Sequence, residues 1–401
     1  MIRTRFACVI LMIAISAGLM ASPASKGIAQ ETVASGIAET SRNSLDPDAL
    51  SRHVHALASP QFAGRRGPSA DKTVDYLKRH FERAGLSPGF PEGYVQEISQ
   101  TSSGKVIGRN VAAAVRGSDP SLREEWIVLS AHWDHLGPSL NDPDKYFPGA
   151  DDNASGVAML LETATWFARP ENRPKRSVLF VAFDLEEFGL FGSRHFAGHM
   201  PFDADRLKLF VTADMIGRSL SGMCREWVFV IGSERLPQSR QWLKQAAQGR
   251  SIRAGTLGTD LVGVRSDYGP FMTKKIPYLF FSTGESEVYH SIADRPETID
   301  YAKLHQISEV ILETVAQAAD VPTISGWSET PVAAPEELTV IAAVLEEMKS
   351  PENGLKLGGL QRSTIDRTLE KIRKLIETRT VSDSDRRAVI RAAQFLMFSA
   401  L

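Results

Sequence analysis

The sequence predicts an α/β fold: a mixed, largely parallel central sheet covered by helices on both faces, with a C-terminal helical appendage. Three observations predict it. Residues 126–129, 178–183, 227–231 and 278–281 are apolar throughout and 207–213 nearly so, as strands buried on both faces are, rather than alternating. Helical patterns at 157–167 and 238–247 separate some of these runs and another at 304–315 follows the last, which is the order of strand–helix–strand units. Three of the runs lead straight into His132, Asp184 and Asp214, and open α/β sheets build their sites outside the carboxyl ends of strands.

Taken in order, residues 1–5 carry Arg3 and Arg5, and 6–20 are an almost unbroken apolar run. This is the pattern of a secretory signal peptide, assigned to 1–29 with cleavage after Ala24 or Ala29, and the run is short for a membrane span. The expectation is an exported protein, periplasmic or extracellular, free of the membrane after cleavage. Of the two cysteines, Cys8 lies in the signal, so no intramolecular disulfide is expected and stability must come from the core and any bound metal. Residues 30–45 are small and polar, a disordered linker.

The main domain is assigned to 46–320. It opens with a short helix at 46–57 and a loop at 62–68. Ser69 can cap a helix that puts Val74, Leu77, Phe81 and Ala84 on one face, and Gly85 stops it. A strand at 106–115 and a turn at 117–120 lead to the apolar run at 126–129. Ser155 and Gly156 mark the start of the 157–167 helix. Three prolines make 321–335 a linker, and 336–401 is a helical extension with patterns at 336–349, 364–379 and 384–399 and no catalytic constellation. The formal charge of −2, with no basic cluster interleaved with aromatics, excludes a nucleic-acid partner from the expectation.

Chemistry concentrates in His132, Asp152, Glu187, Asp214 and His290. Singly, each has an ordinary explanation: a His–Asp pair at a strand end is commonly structural, Asp152 can cap a helix, and a Glu-Glu pair is usually a solvated face. Together they are harder to dismiss, because acids gathered at the ends of apolar strands repel and are desolvated unless a cation sits among them. Two imidazoles and three carboxylates suit zinc, and a shared aspartate would hold two ions about 3.5–4 Å apart. Asp134 can accept the other ring N–H of His132, and Glu186 is placed to take a proton from water. That is hydrolase chemistry.

The segments Ala131-His132-Trp133-Asp134, Gly149-Ala150-Asp151-Asp152-Asn153, Asp184-Leu185-Glu186-Glu187, Ala213-Asp214-Met215, Ser266-Asp267-Tyr268 and Tyr289-His290-Ser291 occur in this order. Over roughly residues 50–320 they resemble the aminopeptidase Y/S family of co-catalytic zinc peptidases. The resemblance implies the zinc-dependent exopeptidase fold and two zinc ions. It implies His132, Glu187, Asp214 and His290 as terminal ligands, Asp152 as the bridge and Glu186 as general base. Tyr289 matches a tyrosine that stabilises the oxyanion in some members.

Asp151 is then a neighbour of the bridge, and His135 and His195 match no ligand position and are read as surface residues or as lying behind the ligands. Asp294 and Glu297 fall in the loop expected to seat His290. Tyr268, Glu285 and Glu287 depart from the commoner pattern, which leaves the preferred substrate side chain open. The expected function is an aminopeptidase acting on peptides with a free N-terminus. Competing readings are a glutaminyl-cyclase-like acyltransferase, whose relatives need only three ligands and one zinc, and a carboxypeptidase or dipeptidase, with Arg218 or Arg265 holding a substrate carboxylate. The last is a binding protein without metal.

Overall fold

The computed structural model describes residues 44–100, 102–142 and 144–400, so the expected signal peptide and nearly all of the expected linker lie outside the described residues. Nine strands form one sheet: β1 (Ser87–Pro88), β2 (Val95–Ser99), β3 (Val106–Val115), β4 (Trp126–His132), β5 (Ser177–Phe183), β6 (Leu207–Ala213), β7 (Trp227–Ile231), β8 (Arg253–Leu257) and β9 (Tyr278–Ser282). Their order is β1-β3-β5-β4-β6-β9-β7-β8, with β2 also paired to β3. The four central strands, β5, β4, β6 and β9, run parallel. The flanks make the sheet mixed: β3 is antiparallel to β5, and β7 is antiparallel to β9.

The helices are α1 (Pro47–Leu57), α2 (Ala70–Arg83), α3 (Gly156–Ala168), α4 (Phe191–Gly198), α5 (Ser239–Ala247), α6 (Thr259–Val262), α7 (Gly269–Thr273), α8 (Tyr301–Asp320), α9 (Glu337–Lys349), α10 (Gly359–Thr378) and α11 (Asp383–Ala400). Side chains alternate across the central strands. Ile127, Leu129, Val178 and Phe180 enter one core with α1, α2, α3, α5 and α8, while Val128, Leu179, Val181 and Phe183 enter the other. Both faces of these strands are thus removed from water, which explains their unbroken apolar sequence.

The second core also takes Leu338, Ile341, Leu345, Ile365, Ile390 and Leu396, so the C-terminal helices cover that face of the sheet. Helix α9 packs on β8, and α11 on α6. The segment between α8 and α9, read as a linker, is tied to the domain: Ser328 N donates to Arg235 O at 2.9 Å, and Arg235 lies 4.6 Å over the Trp327 ring. Leu45, at the edge of the expected disordered stretch, is buried and donates its N–H to Glu309 Oε1 at 2.6 Å. Among the described residues no helix is long and apolar enough to cross a membrane.

Candidate metal centre and active-site cleft

Four parallel strands end side by side, and the segment that follows each delivers polar groups to the same spot. His132 is the last residue of β4, Glu186 and Glu187 follow β5, Asp214 follows β6, and His290 lies beyond β9. Asp152 comes from the six-residue turn 150–155 that leads into α3. The turn depends on Gly149, whose φ is +58°; a Cβ there would sit 2.2 Å from Asp152 O and 2.6 Å from the Arg65 guanidinium.

Asp152 joins two groups. Its Oδ1 lies 3.4 Å from His132 Nε2, which is also 3.2 Å from Asp214 Oδ1. Its Oδ2 lies 3.2 Å from His290 Nε2, itself 3.0 Å from Glu187 Oε2. The five residues singled out by the sequence therefore meet, with the two oxygens of one carboxylate turned toward different partners.

Surrounding groups fix these side chains. Asp134 faces two neighbours, His132 and the Glu186-Glu187 segment. His132 Nδ1 lies 3.2 Å from the Asp134 carbonyl oxygen and 3.5 Å from its carboxylate, while that carboxylate accepts the backbone N–H groups of Glu186 at 3.1 Å and Glu187 at 3.3 Å. It clamps the end of β5 to the end of β4. Asp151 accepts from Gly217 N at 2.7 Å, and Asp294 accepts from Asp151 N and Asp152 N at 3.0–3.1 Å. His290 itself has φ +52°, a left-handed conformation that its loop must hold against a cost of about 1–3 kcal/mol.

Two buried neighbours of these residues carried no clear signal in the sequence. His135 is fully buried and lies with Nδ1 2.7 Å from Glu187 Oε1, so it orients the oxygen opposite the one facing His290. Arg65, from the 62–68 loop, is wholly buried. It donates from Nε to Trp133 O at 2.7 Å, and from its terminal nitrogens to Pro148 O at 2.8 Å, Gly149 O at 2.9 Å and Asp152 O at 3.1 Å. His195, by contrast, is half-buried and stacks on His199 at 4.3 Å, away from the cleft.

The pocket is crowded with acids, and their mutual influence shifts the groups within it. Burial disfavours the His290 imidazolium, yet the Asp152 and Glu187 carboxylates push it up to about 10. Burial and Asp294 push Asp151 up to about 8. Burial, with Asp214 and Asp267 adding to it against the pull of His132, holds the Glu186 carboxyl well above the usual range. A cation among these acids would relieve all of them.

A cavity of about 100 Å³ opens beside the cluster, lined by Glu186, Glu187, Asp214 and Tyr289 at its polar end. The Tyr289 ring stacks on His290 with centroids 3.8 Å apart. Arg265 and Glu285 also line the cavity, whereas Arg218 donates to Thr298 O at 2.9 Å. Tyr268 is buried behind the wall, stacked on Tyr278 and Phe280 at 5.0 Å each, with Arg265 N donating to its hydroxyl at 3.1 Å.

Comparison with known proteins places this site in context. Residues 110–315 match peptidase family M28. A probable zinc metalloprotease of Leptosphaeria maculans is 31% identical over 128 residues, covering 32% of this chain and 29% of that protein. Aminopeptidase YwaD of Bacillus subtilis is 26% identical over 199 residues, 48% of this chain and 41% of that one. The chain thus matches less than half the length of these curated relatives. In structure it resembles Porphyromonas gingivalis glutaminyl cyclase with a TM-score of 0.55 at 20% identity, over 68% of this chain and 99% of that one, a likeness of fold.

Proposed function

Because the chain belongs to peptidase family M28, we propose that it is an exported zinc aminopeptidase that binds two zinc ions and removes N-terminal residues from peptides. The observation that carries this reading is the division of the Asp152 carboxylate between two donor groups. His132, Asp214 and Asp152 Oδ1 would hold one ion; His290, Glu187 and Asp152 Oδ2 would hold the other. The donor set fits zinc: imidazole nitrogens and carboxylate oxygens converge, and His290 Nε2 has no well-aligned hydrogen-bond partner although buried. Zinc so bound lowers the pKa of water toward neutrality and polarises a carbonyl.

The chain's own groups supply the remaining work. Glu186, beside the cluster and held high by burial and nearby acids, takes the proton of the attacking water and carries it to the leaving amine. Asp134 holds Glu186 and Glu187 in register through their backbone N–H groups. Tyr289 keeps its phenol proton, since burial and the surrounding carboxylates raise its pKa, and donates to the oxygen that gains charge in the transition state. The apolar end of the cavity receives the side chain of the N-terminal residue.

The test compares leucyl amide and N-acetyl-leucyl amide with the zinc-loaded protein. The free amine should be cleaved about 10⁴-fold faster, because a site built to bind a substrate amine leaves its polar groups unpaired with the acetylated analogue. Equal rates would exclude an aminopeptidase, and preferential cleavage next to a free carboxylate would make it a carboxypeptidase using Arg265. Two further outcomes are expected. Tyr289→Phe should lower kcat by about 10²- to 10³-fold with KM little changed, as measured by steady-state kinetics. His135→Ala should weaken one zinc site about 10- to 100-fold and spare the other, as read by chelator competition.

A further inference from the structure

The cavity continues past Asp214 into an apolar end formed by Leu220, Phe229, Ile231, Val262, Phe280 and Met397. The first five belong to the region that matches the family or to the sheet it contains. Met397 lies on α11, well outside the matched residues 110–315. It is buried, 3% exposed, on the same helix as the fully buried Leu396 and Ala393.

Helix α11 is fixed to the wall it completes. The Arg386 guanidinium donates to both oxygens of Asp260 at 2.6 and 2.8 Å and to both oxygens of Glu337 at 2.6 and 2.8 Å. Gln394 Nε2 donates to Asp260 O at 2.9 Å. Asp260 lies in α6, the short helix that contributes Val262 to the same cavity. Glu337, on α9, accepts from Gly258 N at 2.9 Å, just ahead of α6. A bidentate Arg–carboxylate pair is geometrically stiff, and two of them on one guanidinium leave α11 little freedom to drift from α6.

We propose that the C-terminal helical extension builds part of the substrate side-chain pocket, and that Met397 sets the size of apolar side chain the pocket accepts. This rests on the aminopeptidase reading for the identity of the substrate, and it names the class: peptides whose N-terminal residue is apolar and of aliphatic rather than large aromatic size. Arg265 lines the same cavity with its Nε donating to the Val262 carbonyl at 3.2 Å, and a methionine in this wall can be displaced or shortened without loss of any polar partner.

The test uses the full zinc-loaded chain and two substitutions that act in opposite directions. Met397→Ala should raise the kcat/KM ratio for phenylalanyl over alanyl amide about tenfold, and Met397→Trp should lower the ratio for leucyl over alanyl amide about tenfold, the scale of discrimination by a few methylene groups in an apolar pocket. Calorimetric binding of free alanine, leucine and phenylalanine should follow the same order. General destabilisation would lower all substrates together, so opposite shifts in selectivity separate it from the proposed role. Unchanged ratios, or one common factor for every side chain in both variants, would overturn the proposal. If the wild-type protein cleaves none of the amides, the aminopeptidase reading fails, and the binding series still decides: a size-ordered shift keeps Met397 as a pocket wall, and a uniform one removes it.

Discussion

Glu186→Gln is expected to lower kcat about a thousandfold while zinc content and KM stay near their wild-type values. The substitution keeps the shape and burial of the side chain but removes its ability to accept and return a proton, and general base catalysis contributes about 10²- to 10⁴-fold. Its neighbour Glu187 faces His290 and His135 instead, so the two adjacent acids are not interchangeable. The comparison with Glu187→Gln makes the point sharply: that change should lose metal first and activity in consequence. Turnover within tenfold of wild type in Glu186→Gln, with full metal content, would assign the proton transfer to another group.

Arg65→Met is expected to destabilise the fold by about 3–5 kcal/mol, measured by denaturant unfolding of the metal-free protein. The guanidinium is buried and donates to the carbonyls of Trp133, Pro148, Gly149 and Asp152, and removing it leaves these acceptors unpaired beside buried acids. Burial lowers its pKa while Asp152, Asp294, Asp134 and Glu187 oppose that, so the charge also balances the anionic pocket. Arg65→Lys should recover part of the loss, since it keeps the charge but cannot reach both sides of the turn with a fork. A loss below about 1 kcal/mol in Arg65→Met would mean that the turn bearing Asp152 holds itself.

These two residues illustrate what a single sequence reveals. The position of Glu186 was legible because a continuous apolar run ends at Phe183, just ahead of it, and strands that are buried on both faces advertise both their length and their carboxyl ends. The same pattern marked β4, β6, β7 and β9, and the acids and imidazoles after them meet in space as their positions suggested. Strand β8 escaped notice: Arg253–Leu257 holds a glycine and a threonine and little apolar surface, as befits an edge. Strand β2, with its alternating burial, is another edge. The direction of β7, antiparallel to β9, depends on connections that periodicity does not encode.

Arg65 left no signal of its own, because an arginine in a loop with φ +54° carries no period and most of its carbonyl acceptors lie far along the chain. His135 matched no motif position, yet its burial against Glu187 makes it part of the site. The C-terminal helices were visible as helices, two of them at nearly their observed bounds and α10 beginning at Gly359, ahead of the expected 364. Their place over the second face of the sheet was not, since it follows from long-range packing of residues such as Leu338 and Leu396.

The central claim is that Asp152 serves two metal ions at once, and the most direct measurement is the stoichiometry of zinc binding to chelator-stripped protein by calorimetry with elemental analysis, for wild type and Asp152→Ala. The account predicts close to two zinc ions per chain in the wild type, with activity returning as they bind, and weakening of both sites in the variant. A single zinc per chain, or a variant that loses one ion while keeping the other at undiminished affinity, would contradict it.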